Sequence, residues 1–299
     1  MRPYPACPRV PAEETLRMDL LVGVALGLIQ GLTEFLPVSS SGHLVLAQAL
    51  FGLEVPGVLL ELTAHLGTAL AVTVLFAREL GSMVGAAWRW LGRGRAGLRG
   101  EATVRADSAW RRLLANLILA TGVTAAVGLA FRPLFLRSFE TPDVAATMLL
   151  VTGLVLAVSA RLGRGRRTEK DLGAADAVWV GAFQGLAILP GLSRSGLTIV
   201  GGLARRLSPQ ASARFSFLLS LPAIVGAALV EVLGEKGLAA ALEGGVPVAG
   251  LATVFAASFF SGLLAMLVLV RVAASGRLHW FAGYCWLVGA AALVWLRLS

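Results

Sequence analysis

The sequence predicts an all-α, polytopic membrane protein built of inverted repeats, and three observations predict it. Of 299 residues, 57% are apolar and only 14% charged, more apolar material than a soluble chain of this size hides. Charge-free stretches close to the length of a bilayer-crossing helix recur along the chain. Two polar, proline-broken segments half a chain apart share a pattern, as in a duplicated membrane unit.

Residues 1–17 are Pro-rich and mixed in charge, without an apolar h-region or a small-residue cleavage site. They read as a disordered N-terminal extension rather than a removable signal. Met18 directly precedes the first apolar run, so the extension could also be an over-called start. The first membrane repeat is expected over 18–140 and the second over 141–299, as one integrated domain.

In the first repeat, Gln30-Gly31-Leu32, Leu36-Pro37 and Ser39-Ser40-Ser41-Gly42 lie in an apolar segment. They recur as Gln184-Gly185-Leu186, Leu189-Pro190 and Ser193-Arg194-Ser195-Gly196, about 154 residues later. A segment broken at its middle can dip into the membrane and return, provided its freed backbone groups are buried in protein or line a wet cavity. Each copy is therefore read as a re-entrant helix pair. Three spans follow each: 57–77, 113–131 and 144–160, then 215–230, 244–270 and 278–296, with Glu61 the one acid in the first. An odd number of spans between the pairs inverts the second repeat.

Loop charge gives an independent check. Residues 78–112, read as a loop, carry eight arginines against three acids, and residues 161–172 five basic residues against two. Parity places both on one side with Arg271 and Arg277, opposite the loop bearing Glu231, Glu235, Lys236 and Glu243, which makes the basic side cytoplasmic. The net charge of +9 is accounted for by these arginines, and no nucleic-acid partner is expected. Cys7 and Cys285, the two cysteines, supply neither a disulfide framework nor a metal cluster.

The broken tips, entering from opposite faces, can meet inside the protein, where helix N-termini suit a phosphate-bearing ligand. Gln30 and Glu34 share a helix face. An ionised carboxylate in an apolar run needs a partner: a hard ion such as Mg²⁺ or Ca²⁺, a cationic side chain, or a reacting proton. His43 could handle a proton or be a hydrogen-bonded structural histidine. Ser40 could attack a phosphorus with His43 as base, or bind phosphate while water attacks. Ser39 and Ser41 are candidate phosphate ligands or helix caps. Arg194, flanked by Ser193 and Ser195 with Thr198 behind, offers a planar fork to phosphate oxygens; a salt bridge to Glu34 is the alternative. Glu61 and His65, at i and i+4, form a second tier. Arg205, Arg206 and Arg214 read as boundary charges, and Trp280, Trp286 and Trp295 as interfacial anchors or packing rather than a substrate platform.

The run Gln30-Gly31-Leu32-Thr33-Glu34-Phe35-Leu36-Pro37-Val38-Ser39-Ser40-Ser41-Gly42-His43-Leu44, with Pro190-Gly191-Leu192-Ser193-Arg194-Ser195-Gly196-Leu197-Thr198, resembles the bacterial undecaprenyl-diphosphate phosphatase, or bacitracin-resistance, family. Glu61 through Gly67 and Arg214-Phe215-Ser216-Phe217-Leu218-Leu219 agree, so the resemblance covers nearly everything after residue 18. It implies hydrolysis of a C55 isoprenoid diphosphate to the monophosphate, recycling the lipid carrier of cell-wall synthesis. It also implies a divalent metal, Mg²⁺ or Ca²⁺, and an inner-membrane site opening toward the periplasm. On these positions it makes Ser40 and His43 the catalytic pair with Glu34 and Arg194, Gln30 and Glu34 the metal positions, and Ser193, Arg194, Ser195 and Thr198 the phosphate ligands. Gln30 departs from the glutamate that many members carry, which leaves one carboxylate rather than two for a metal. Expected partners are the polyprenyl diphosphate and membrane lipids; the sequence sets no oligomeric state, and a homodimer is the working expectation. The rival function is a transporter or flippase of a phosphorylated lipid or anion, since inverted repeats with broken helices are also a transporter design.

Overall fold

The computed structural model describes residues 20–51, 58–92, 101–162, 165–233 and 248–298. Residues 1–17, Cys7 among them, and the charges Glu235, Lys236 and Glu243 lie outside the described residues. Within them the chain is helical, with no strand beyond an isolated bridge between Arg167 and Leu207. The helices are α1 (Leu20–Phe35), α2 (Ser40–Phe51), α3 (Val58–Leu75), α4 (Ala77–Leu91), α5 (Glu101–Ala130), α6 (Arg132–Phe139), α7 (Pro142–Val158), α8 (Ala174–Leu186), α9 (Arg194–Ala204), α10 (Pro209–Leu233), α11 (Val248–Ala274) and α12 (Trp280–Leu298).

Five of them, α5, α7 with its 3-10 extension, α10, α11 and α12, are long and apolar enough to cross a bilayer. A sixth span is the pair α3–α4, bent by 75° at Phe76. The chain is thus a multi-pass membrane protein, with Ile118, Leu129, Leu264 and Leu287 exposed on the outside of the bundle, where lipid would lie. The bend corrects the expectation of a span over 57–77 followed by a loop over 78–112. Residues 77–91 are helical because they are amphipathic: Met83 and Ala86 are buried, while Arg89 reaches across to Asp107 at 2.6 Å. The arginines that suggested a loop lie in part on helical surface, and α5 already begins at Glu101.

Small residues bring the first motif against the core. A Cβ on Gly23 would stand 2.6 Å from Thr253 Oγ1, and one on Gly27 would stand 2.6 Å from the Val254 carbonyl. A Cβ on Gly31 would run into Ser261 and Ser258. This one-in-four glycine stripe lets α1 lie directly on α11, the close approach that drives helix association in lipid. Gly67 does the same for α3 against Ser258. On the other flank, Gly153 of α7 receives Trp286 of α12, whose indole N–H donates to the Leu150 carbonyl at 3.2 Å.

Ion pairs join one end of the bundle. Arg167 Nη2 and Arg205 Nε each lie 2.6 Å from Asp176 at the start of α8. Arg214 bridges Glu79 of α4 and Glu169, and Lys170 Nζ sits 3.6 Å over the Trp110 ring. Arg205 and Arg214, read from sequence as boundary charges, are therefore paired across elements at this end.

Candidate active site

Both broken motifs fold by the same local rules. In the first, α1 stops at Phe35 because Pro37 cannot continue the ladder. Ser39 then takes φ +67°, a left-handed conformation costly for a residue with a Cβ, and its Oγ accepts the Gly42 N–H at 3.3 Å to start α2. In the second, α8 ends at Leu186 and Gly191 turns with φ +91°. Ser193 Oγ accepts the Gly196 N–H at 3.1 Å to start α9. Ser39 Oγ lies 3.4 Å from Ser41 Oγ, and Ser193 Oγ 3.2 Å from Ser195 Oγ. Thus Ser39 and Ser193 cap helices, the structural role weighed for Ser39.

The two tips touch. A Cβ on Gly42 would stand 2.8 Å from Gly191 Cα, and Ser195 Oγ donates to the Leu36 carbonyl at 3.2 Å. From α7, Thr152 donates to the Gly191 carbonyl at 2.8 Å and accepts the Ser193 N–H at 3.0 Å, holding the second tip. Thr198 Oγ1 donates to the Arg194 carbonyl at 2.8 Å and meets Ser216 Oγ at 2.6 Å. It braces the Arg194 turn.

Glu34 is the centre of the polar cluster that results. It is 8% exposed, and Arg194 Nη2 donates to its Oε1 at 2.6 Å from 160 residues away. Ser40 Oγ and Gln30 Nε2 both donate to its Oε2 at 2.9 Å. His65 Nδ1 lies 3.2 Å from Gln30 Nε2 and 3.8 Å from Glu34 Oε2, while its Nε2 is 3.8 Å from Glu61 Oε1. Glu61 is exposed, so Glu61, His65 and Glu34 form a polar line from the surface near the start of α3 to the buried carboxylate. Gln30 Oε1 is buried with no hydrogen-bond partner, a costly state that points to a ligand.

His43 stands apart from the Ser40 hydroxyl, whose hydrogen bond runs to Glu34. Its Nδ1 lies 2.7 Å from the Ser39 carbonyl. A carbonyl only accepts, so Nδ1 carries the proton. Nε2 then faces Tyr284 Oη at 2.8 Å, with the two rings stacked 5.6 Å apart at 12°. Sequence reasoning missed Tyr284 and Thr152, single polar residues in apolar helices with no neighbouring pattern to mark them, and gave Ser216 no role although it lies in the run Arg214-Phe215-Ser216-Phe217-Leu218-Leu219. His65 was visible only through its i, i+4 spacing from Glu61.

Chemically, the N-termini of α2 and α9, whose first N–H groups have no intrahelical partner, and the Arg194 guanidinium converge on one polar cluster, an arrangement suited to a polyanion. A hydroxyl donating to a carboxylate beside them suits attack on phosphorus.

The family described as bacitracin resistance protein BacA matches residues 23–291. An undecaprenyl-diphosphatase of Desulforapulum autotrophicum is 39% identical over 277 residues, covering 93% of this chain and 98% of its own length. The undecaprenyl-diphosphatases of Desulfosudis oleivorans and Syntrophotalea carbinolica are each 42% identical, over 280 and 273 residues, covering 92% and 91% of this chain and 98% and 97% of their own.

Proposed function

From its membership of the bacitracin resistance protein BacA family, to which this chain belongs, we infer that it is a membrane-embedded hydrolase converting undecaprenyl diphosphate to undecaprenyl phosphate and inorganic phosphate. The single observation that carries the site assignment is the ion pair between Glu34 and Arg194, which puts a serine hydroxyl, a carboxylate and a guanidinium in one buried place. An anion transporter needs the cationic donors but has no use for a hydroxyl aimed at a carboxylate.

In this reading Arg194 and the N–H groups of the two capped helices take the diphosphate and stabilise the charge spread over the transferring phosphoryl oxygens. Glu34 accepts the Ser40 proton as that hydroxyl attacks or orients. Moving Arg194 from the carboxylate to the phosphate would leave Glu34 a better acceptor. His43, with its Nδ1 proton held by the Ser39 carbonyl, takes up a second proton from solvent at Nε2 and, as imidazolium, gives that proton to the leaving oxygen and returns to the neutral ring. Ser41 completes the donor set around the phosphate, and Ser195, whose hydroxyl donates to the Leu36 carbonyl, holds with Ser39, Ser193 and Thr198 the turns that present it.

A divalent metal, Mg²⁺ or Ca²⁺, fits beside these residues: Gln30 Oε1 is an orphaned buried hard oxygen next to the Glu34 carboxylate. Among the described residues no group of three His, Cys, Asp or Glu could hold a metal, so Gln30 and Glu34 would share it with substrate oxygens. When bound it would offset charge on the diphosphate. By the positive-inside rule the ion-paired end of the bundle faces the cytoplasm of the bacterial inner membrane. The Glu61–His65–Glu34 line starts near the other end, which supports a mouth on the periplasmic side. The matching side-chain caps, Ser39 on Gly42 and Ser193 on Gly196, support the repeat reading, with the halves dividing near residue 140 and inverted; a homodimer is a further proposal.

The test is phosphate release from undecaprenyl diphosphate by purified protein in detergent, with and without chelator. Arg194→Ala should reduce release by about a thousandfold while the protein still melts cooperatively, at a lower temperature because the buried Glu34 loses its counter-charge. Near-normal turnover in that variant, or activity confined to sealed vesicles, would reject the assignment.

A further inference from the structure

We propose that Tyr284 is the positioning residue of His43, engaging Nε2 and setting the ring plane through which the histidine moves its proton. The inference rests on the reading above that His43 handles a proton. Its geometry comes from the opposite end of the chain: α12 contributes Tyr284 to a residue 241 positions earlier.

The tautomer follows from the partners. With the Nδ1 proton committed to the Ser39 carbonyl, the neutral ring has a lone pair only on Nε2, and the hydrogen in the 2.8 Å contact must come from the tyrosine. When Nε2 gains a proton, the same hydroxyl can turn and accept it. Tyrosine serves both states because its hydroxyl donates and accepts, whereas phenylalanine serves neither. The near-parallel stack at 12° sets the ring plane at the same time, so rotation about the histidine side chain is blocked from two directions.

α12 is itself held against the first motif. Cys285, the next residue, is fully buried and directs its thiol at the Pro37 carbonyl, 3.6 Å away. Gly289 packs on α7, where a Cβ would stand 2.9 Å from the Ala146 carbonyl. Tyr284 is 43% exposed, so it lies at the edge of the polar cluster rather than at its buried centre. A half-exposed hydroxyl whose hydrogen bond runs to the histidine adds little to the fold and can guide a catalytic ring.

The experiment is a double-mutant cycle on the purified full-length protein in detergent, reading kcat and KM for undecaprenyl diphosphate. Tyr284→Phe keeps the stack and removes the hydroxyl; we expect kcat to fall about tenfold, the worth of one hydrogen bond to a titrating group, with KM unchanged. In a His43→Ala background the same change should do nothing more. If His43→Ala lowers kcat but Tyr284→Phe leaves it intact, or if the two losses multiply in full, the positioning role is wrong while the proton-handling reading of His43 stands. If His43→Ala keeps normal turnover, that underlying reading falls and this one with it. A drop in Tyr284→Phe that appears as raised KM, or as a lowered melting temperature with proportionate loss of active protein, also overturns the proposal.

Discussion

Glu34 uses both of its oxygens, one on Arg194 and the other on Gln30 and Ser40. A carboxylate so engaged is both a structural tie between distant segments and a proton acceptor for the serine, and substitution separates the two roles. Glu34→Gln leaves a similar volume but strands Arg194, 17% exposed, without its counter-charge. Breaking a buried pair from one side costs about 3–5 kcal/mol. We expect a large fall in thermal stability in detergent together with loss of turnover by at least about a hundredfold; preserved turnover would remove Glu34 from the reaction. Gln30→Glu is the converse change, adding a second carboxylate where Oε1 lacks a partner. It should lower the Mg²⁺ or Ca²⁺ concentration giving half-maximal phosphate release, whereas an unchanged metal titration would place the ion elsewhere. At this scale the motif residues were legible because their types are improbable in an apolar run. Tyr284 and Thr152 were not, since one hydroxyl among apolar neighbours carries no information about what it will meet 241 or 41 residues away.

Helices present these side chains only if they approach closely enough, and α1 depends on its glycines to do so. The stripe Gly23, Gly27, Gly31 faces α11, and Gln30 and Glu34 sit on the same helix. Gly27→Ala would place a methyl 2.6 Å from the Val254 carbonyl and 2.7 Å from the Ala257 Cβ, contacts that backbone must relieve by separating the helices. We expect a destabilisation of about 1–3 kcal/mol, as for overpacked cores, with reduced activity from a displaced carboxylate; thermal melting and phosphate release on the same preparation measure both. Gly226, with open space around its Cβ position, makes the control. The glycines were plain in the sequence, but which helix they faced was not. The α3–α4 bend was hidden for a different reason. No proline or glycine stands at Phe76, yet its backbone leaves helical values at φ −108° and ψ 22°, while its N–H still reaches the Val72 carbonyl and its carbonyl accepts the Leu80 N–H, both at 2.9 Å. The turn belongs to the packing of Phe76 on Phe217 and Arg214, a tertiary cause with no local sequence sign.

Across the whole molecule, spans and broken tips were legible because lipid imposes length and composition on every crossing segment, while the way charges at one end join the elements emerged only with the fold. Asp176 shows what that joining does. It is buried, and burial alone would push its carboxyl up. Arg167, the Gly173 N–H and Arg205 nonetheless hold it down at about 2. A carboxylate depressed in the folded state and ordinary, near 3.8, in the unfolded state stabilises the fold in full above about pH 4. Its contribution is lost as pH falls through that value toward 2. The ion pairs tie the start of α8 to the segment at Arg167 and to the end of α9, so protonation would loosen the base on which Arg194 is presented. Detergent-solubilised protein should therefore lose melting temperature steeply between about pH 4 and pH 2. Asp176→Asn should be less stable at neutral pH by about 1–3 kcal/mol, and its profile should be flatter across that acid range. If the variant and the parent show parallel curves, the seam at Asp176 does not hold the second motif in place.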